Sequence, residues 1–271
     1  MNVLSHRLLF WALALSASLY PALAQPVSAD TFKPLLSASY RSQGNVARDP
    51  YRHPAETLAF FSVRPNSTVV EILPGSSGYY MEILAPWLKD KGLYIAANRD
   101  GSQPQYQADH DKLLQRLRKE PDLYGKVLVT PFRADRHAIA PAGSADVVIS
   151  FRNLHNWMEQ GELQESLKAF YLALKPGGIL GIVDHRGRTD QTQAEQIASG
   201  YVRQDVAIAL IEQAGFKLQA SSEANANPKD SKDHPEGVWT LPPSYRLKDK
   251  DREKYAAIGE SDRFTLRFVK P

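Results

Sequence analysis

The chain has 271 residues, 43% of them hydrophobic and 23% charged, which supplies one substantial core and excludes a disordered chain. A formal charge of +3 gives no broad field for nucleic acid. The absence of cysteine excludes disulfides, thiolate nucleophiles and cysteine-based zinc sites.

Residues 1–24 have the three parts of a secretory leader: basic Arg7, the apolar run Leu8–Tyr20, and the small-residue cleavage sequence Pro21-Ala-Leu-Ala24 before Gln25. The apolar run is shorter than the roughly 20 residues that cross a bilayer, so it predicts a cleaved signal rather than an anchor. The mature chain is then expected to carry a formal charge of +2, to have no stable membrane span, and to be periplasmic or secreted. A polar arm, residues 25–54, follows and ends in Arg48-Asp-Pro-Tyr-Arg-His-Pro54. Arg48, Arg52 and His53 either form a solvated basic face or fold over a ligand and meet an anionic group. Pro54 suits the first position of a short helix running to Phe61.

Strand and helix signals then alternate. Thr68–Leu73 predicts a first strand, and Gly78–Leu88 a helix with Met81, Leu84, Ala85 and Leu88 at helical spacing. A second strand is predicted over Gly92–Ala97, a helix over Gln105–Lys119 and a third strand over Lys126–Thr130. Ala145–Ser150 reads as a fourth strand buried on both faces. Leu163–Leu174 is helical and is stopped by Lys175-Pro-Gly-Gly178, before a fifth strand, Ile179–Val183, that ends in Asp184-His185-Arg186. Gln193–Ala214 predicts one long helix ended by Gly215, Phe216–Ser221 a sixth strand and Phe264–Val269 a seventh. The series predicts an α/β domain over residues 55–271 on a doubly wound, mostly parallel sheet with right-handed crossovers. Residues 223–262 break the pattern. A parallel sixth strand runs toward the ligand edge, so this insertion reads as a lid or substrate wall offering Trp239 and Tyr245, or as a solvated connector.

The chain turns on Thr68-Val-Val-Glu-Ile-Leu-Pro-Gly-Ser-Ser-Gly-Tyr-Tyr80. A strand that stops at a glycine-bearing turn and opens a helix is a ligand cradle, because backbone N–H groups approach the ligand and the helix start adds partial positive charge. Together with Asp146-Val-Val-Ile-Ser-Phe-Arg-Asn-Leu-His155, the phrase Leu174-Lys-Pro-Gly-Gly-Ile-Leu180, and the Ala-Gly-Phe sequence before the sixth strand, this cradle resembles the class I S-adenosylmethionine-dependent methyltransferases over residues 55–271. Arg48-Asp-Pro-Tyr-Arg-His-Pro54 and Asn153-Leu-His-Asn-Trp157 look more narrowly like a group of predicted bacterial methyltransferases with export signals. The resemblance implies a Rossmann-like seven-stranded sheet ordered 3-2-1-4-5-7-6, with the last strand antiparallel, and S-adenosylmethionine along the carboxyl ends of strands one, two and four.

Carried over residue by residue, the resemblance implies that Glu71 orients the donor's amino group; the bare residue reads alternatively as a strand-end carboxylate capping the next helix. Gly75 matches one turn glycine, whereas Leu73 and Ser77 stand where the other two belong and Gly78 lies one place late. A side chain at 73 brings a Cβ where bare backbone meets the ligand. Asn98 replaces the acidic residue that takes the ribose hydroxyls, with Asp100 as its substitute. Asp135 is expected at the adenine amino group or, alternatively, in a turn or helix cap. Arg152 or Asn153 would line the donor, and Tyr79 and Tyr80 read as packing residues or as a ring over it.

Methyl transfer asks for donor and acceptor in line and for a base that takes the acceptor's proton. His155 and His185, at the ends of strands four and five, are the candidate bases, and His53 a third if the arm folds over. His155 and Trp157 read alternatively as core or helix-cap residues. No zinc-like spacing occurs, and Pro74-Gly-Ser-Ser-Gly78 misses a hydrolase elbow by one residue. The expected function is methylation of a small molecule or an envelope component. The alternative is an exported binding protein that keeps the fold with a changed ligand, as the departures at Leu73, Ser77 and Asn98 would suit.

Overall fold

A computed structural model describes residues 26–133, 135 and 137–271; the expected leader, residues 1–24, lies outside the described residues. Seven strands form one sheet in the order β3-β2-β1-β4-β5-β7-β6. They are β1 (Thr68–Ile72), β2 (Leu93–Arg99), β3 (Leu128–Phe132), β4 (Ala145–Phe151), β5 (Leu174–His185), β6 (Lys217–Ser222) and β7 (Arg263–Val269). The β-branched centre of β1 pairs in parallel with β2 on one side and β4 on the other, setting Glu71 opposite Ala96 and Ile149. β7 runs antiparallel to both β5 and β6. The chain thus has the doubly wound α/β architecture expected, with an antiparallel last strand.

Alternation along the central strands sends apolar side chains to both faces. Val70, Ile72 and Val148 join Leu167, Phe170 and Ile211 in one cluster, beneath helices Leu154–Gln160, Leu163–Ala173 and Gln204–Gln213. Val69, Val147 and Ile149 join Leu58, Ile83 and Leu84 in the other, beneath helices Pro54–Phe60 and Met81–Leu88. The arm is bound to this second face. Phe32 is fully buried with its ring 5.6 Å from Trp87, and Arg41 grips Asp49 at 2.6 and 2.9 Å. No helix among the described residues is long and apolar enough to cross a membrane.

Three expectations change. The long helix over 193–214 is broken into Gln193–Gln196, a 3-10 turn Ile197–Ser199 and the helix Gln204–Gln213. Gly200 turns the chain at φ 77°, and Val202 pairs with the end of β5 instead, its N–H donating to His185 O at 2.8 Å. Lys175-Pro-Gly-Gly178 does not stand outside the sheet, because β5 begins at Leu174 and its register against β4 shifts there. β2 runs two residues past Ala97, so Asn98 is a strand residue.

The insertion 223–262 is tied down by polar contacts. Asn225 is buried and donates to Thr57 Oγ1 at 2.9 Å and to Thr265 Oγ1 at 2.8 Å, joining the insertion to helix Pro54–Phe60 and to β7. Asn225→Ala leaves these buried hydroxyls without their donor and is expected to lower stability by about 2 kcal/mol. Urea denaturation followed by tryptophan fluorescence reads this, and an unchanged midpoint would dismiss the contact as a stabilising one.

Candidate functional site

Strand order reverses between β1 and β4, and in open sheets ligands bind at the carboxyl ends of the strands beside such a reversal. Two cavities open there. One, of about 400 Å³, includes Arg99, Tyr106, Phe132, Asp135 and Trp157 in its wall. The second, of about 270 Å³, is walled by Gly75, Arg152, His155, His185, Trp239 and Glu260 among others. Leu73, Asn153 and Asn156 line both, so they are neighbouring compartments of one trough with Leu73 at the partition.

The cradle keeps its backbone shape without its full set of glycines. Leu73 sits at φ 53°, a left-handed conformation that costs a residue bearing a Cβ about 1–2 kcal/mol, and its N–H donates to Ala97 O at 2.9 Å. Gly75, at φ 68°, has nothing within 4 Å of the place a Cβ would take, so the turn is open on that side. Gly78 lines neither cavity: a Cβ there would stand 2.6 Å from Met81 Cε, which makes it a packing glycine. The arm fixes this turn from behind, since Asn45 Nδ2 donates to Ser77 O at 2.9 Å and Arg116 donates to the same carbonyl.

The expected donor residues divide. Asn153 lines both compartments and is held by donating to Ser150 Oγ at 3.1 Å and Ile72 O at 3.3 Å. Asp135 is in the wall of the larger cavity, clasped by Arg133 at 2.8 and 2.6 Å. Glu71 lines neither cavity. It is buried beneath the sheet face and accepts from Tyr94 Oη at 2.5 Å, and burial pushes its carboxyl up to about 7 against the pull of Tyr94 and Arg52. Asn98 is also buried away from both cavities, and its neighbour Arg99 reaches the larger one, stacked on Tyr106 at 4.4 Å. Asp100, the substitute for Asn98, is buried with Arg133 3.7 Å away and accepts from Ser102 N at 3.0 Å.

His155 and His185 come together, with ring centroids 5.2 Å apart. Between them lies Asp184, whose carboxylate accepts from Leu154 N at 2.6 Å, His155 N at 3.3 Å, His185 N at 2.7 Å and His155 Nδ1 at 2.9 Å. Burial alone would raise the Asp184 carboxyl, but His155 and the backbone N–H of His185 hold it below the usual carboxylate range. An ionised acceptor makes His155 Nδ1 the donor, so that in the neutral imidazole the lone pair is on Nε2. His185 Nδ1 is 2.5 Å from Ser261 Oγ, and burial keeps this imidazole neutral, well below its ordinary value. Neither Nε2 has a hydrogen-bond partner among the described residues, and both rings line the smaller cavity.

By distance alone His155, Asp184 and His185 could hold a metal ion, their donor atoms lying within 4.8 Å of one another. The lone pairs of Asp184 are committed to four N–H groups, and the charges of Arg152 and Arg263 act on His185. That arrangement orients an imidazole for proton transfer.

His53 does not join this group. It caps helix Pro54–Phe60 at φ 39° and lines neither cavity. The arm does meet the site, through Arg48 Nε, which donates to Glu260 Oε1 at 2.6 Å, and Arg52 Nε, 3.6 Å from Glu260. Trp239 of the insertion lies 6.0 Å from the His155 ring, whereas Tyr245 packs under Arg252 at 4.0 Å and lines neither cavity. Trp157 is core, 5.4 Å from Phe170, with one edge on the larger cavity. Sequence reasoning placed Asp184 only at the end of the fifth strand and missed its bond to the His155 ring; Glu260, Ser261 and Arg263 gave no signal.

No protein-family model and no curated protein matches the chain. Solved structures do. A SAM-dependent methyltransferase from Aquifex aeolicus is similar at TM-score 0.57 and 15% identity, over 90% of this chain and 99% of that one. The cyclase SpnF is similar at TM-score 0.57 and 13% identity, over 87% and 85%. The mitomycin 7-O-methyltransferase MmcR is similar at TM-score 0.50 and 14% identity, over 85% of this chain and 59% of that one. At these identities the likeness is one of architecture: the chain has the class I methyltransferase fold.

Proposed function

We propose that this protein is an S-adenosylmethionine-dependent methyltransferase that acts, after export to the periplasm or beyond, on an oxygen or nitrogen of a small molecule held in the smaller cavity. The observation that carries this reading is the Asp184–His155 pair, which opens onto the same cavity as the cradle residue Gly75. The larger cavity suits an adenosyl group, with Tyr106, Phe132 and Trp157 as ring surfaces and Asp135 and Asn153 as polar partners. When bound, the donor supplies a methyl group already activated on a sulfonium. Asn153 and the backbone of the Gly75 turn would hold its methionyl end. Asp184 keeps His155 in one tautomer and orientation, His155 Nε2 takes the proton from the acceptor, and Trp239 keeps water from the exchange.

A second reading, an exported binding protein with a changed ligand, is favoured by one observation: Leu73, which lines both cavities, brings a side chain where the family would have bare backbone. The cyclase neighbour also marks how freely reactions change on this fold. Titration calorimetry with S-adenosylhomocysteine on protein lacking residues 1–24 decides between them. Binding supports methyl transfer, and no heat with no thermal shift at millimolar ligand sinks it. Mass spectrometry of the N-terminus of the protein recovered from the periplasm and medium checks export; a chain still beginning at Met1 counts against it.

A further inference from the structure

Three arginines converge on one carboxylate beside the smaller cavity. Glu260 accepts from Arg48 Nε at 2.6 Å and Arg263 Nη2 at 2.9 Å, with Arg52 Nε at 3.6 Å. Arg152, which lines the cavity with Glu260, is a fourth guanidinium whose charge is felt by the same group. Burial would raise Glu260, but Arg263, Arg48 and Arg52 hold it down to about 2, so it is fully ionised and counts as one negative charge against four positive ones. The other nearby acids are engaged elsewhere: Asp49 with Arg41 and Tyr79, Asp184 with His155 and three backbone N–H groups, Asp262 with Lys232, and Glu71 with Tyr94, its own charge weakened by burial.

The donors are also in excess. Arg48 Nη2, Arg52 Nε and Nη2, and Arg152 Nε are buried with no hydrogen-bond partner among the described residues. Of the four arginines only Arg152 lines the cavity, so an anion there takes its charge-assisted bonds from Arg152, and Arg48, Arg52 and Arg263 act on it through their charge. The backbone at Arg152 is held at φ 61°, a conformation that places this side chain in the cavity wall at the cost of local strain. Arg152 follows β4 and Arg263 begins β7, so the cluster lies on the half of the sheet away from the larger cavity.

We propose that Arg152, in the field of Arg48, Arg52 and Arg263 and closed on one side by Glu260, receives a carboxylate or phosphate on the acceptor, so that the substrates of this site are acidic small molecules. The identification of the anion's owner as a methyl acceptor rests on the methyl-transfer reading, whereas anion binding itself does not. Arg152 presents the entering anion with the first charge, the three arginines behind it supply the field, and the anion fixes the acceptor beside His155.

Calorimetry with malonate and with inorganic phosphate, on the chain lacking residues 1–24, tests this. Wild type is expected to bind one of them in a salt-sensitive way, and Arg152→Gln to weaken that binding by about tenfold or more, with S-adenosylhomocysteine affinity unmoved. Arg48→Gln, at a partly exposed position, gives the same test with a smaller loss should Arg152→Gln fold poorly. No anion binding by wild type, or equal binding by both variants, overturns the site. Should Arg152→Gln weaken S-adenosylhomocysteine but not 5′-methylthioadenosine, the anion is the donor's own carboxylate and the acidic-acceptor assignment falls. Malonate binding lost in Arg152→Gln, with no S-adenosylhomocysteine binding by wild type, upholds the anion site and removes methyl transfer instead.

Discussion

Replacing His155 with Asn is expected to lower kcat by about 10²- to 10⁴-fold, the range for a lost general base, while S-adenosylhomocysteine affinity stays within about twofold. Asn is the informative choice because its amide N–H can still donate to Asp184, as His155 Nδ1 does at 2.9 Å. The substitution thereby keeps the anchored first turn of helix Leu154–Gln160 and removes only the Nε2 lone pair that faces the cavity. Asp184 is a positioning residue on this account: it touches no cavity, and it holds the tautomer of His155 through Oδ1 while Oδ2 caps the helix through Leu154 N at 2.6 Å. Asp184→Asn can cap the helix still, but its amide no longer forces Nδ1 of His155 to be the donor. It is expected to alter the pH profile of kcat, which a purely structural loss would not do. A His155→Asn enzyme with full kcat would pass the role to His185, whose neutral imidazole faces the same space.

What sequence reveals here follows the range of the interactions. β1, β4 and the core of β5 are legible because β-branched runs bounded by turn residues state their own structure, and the fold follows from their alternation with helices. The Gln193–Ala214 helix misleads because its apolar spacing is helical, yet Val202 is claimed by a parallel bridge to Arg186, past the end of β5, that no local window contains. The site behaves the same way. His155 and His185 are visible as strand-end histidines, but the bond that organises them joins Asp184 to a residue 29 positions away. Glu260 and Arg48 are 212 positions apart, so the charge cluster is invisible until the arm is seen lying against the end of the insertion. Leu73 is legible as a departure, but its left-handed backbone and its place in the walls of both cavities are not.

Glu71 carries the second large expectation, and it concerns stability. Its carboxyl titrates near 4.5 in the unfolded chain and is pushed up to about 7 in the native protein, because burial outweighs the hydrogen bond from Tyr94 and the charge of Arg52. Between those two values the native state keeps a proton that the unfolded state has lost, so this residue's contribution to stability falls as pH rises through that window and is flat above it. The loss amounts to about 3 kcal/mol. Glu71→Gln keeps an oxygen for Tyr94 Oη and removes the ionisation, so the variant is expected to exceed wild type by about 3 kcal/mol at pH 8 and to match it near pH 4. Urea denaturation of both proteins across this range measures the difference, and parallel curves would show that Glu71 is solvated in solution. The same pair separates the two readings of this carboxylate. A donor amino group that reached Glu71 would ionise it, so S-adenosylhomocysteine binding at pH 6 would release a proton and Glu71→Gln would weaken it. With Tyr94 holding the carboxyl beneath the sheet face and neither cavity touching it, the expected result is binding without proton release and with unchanged affinity in Glu71→Gln.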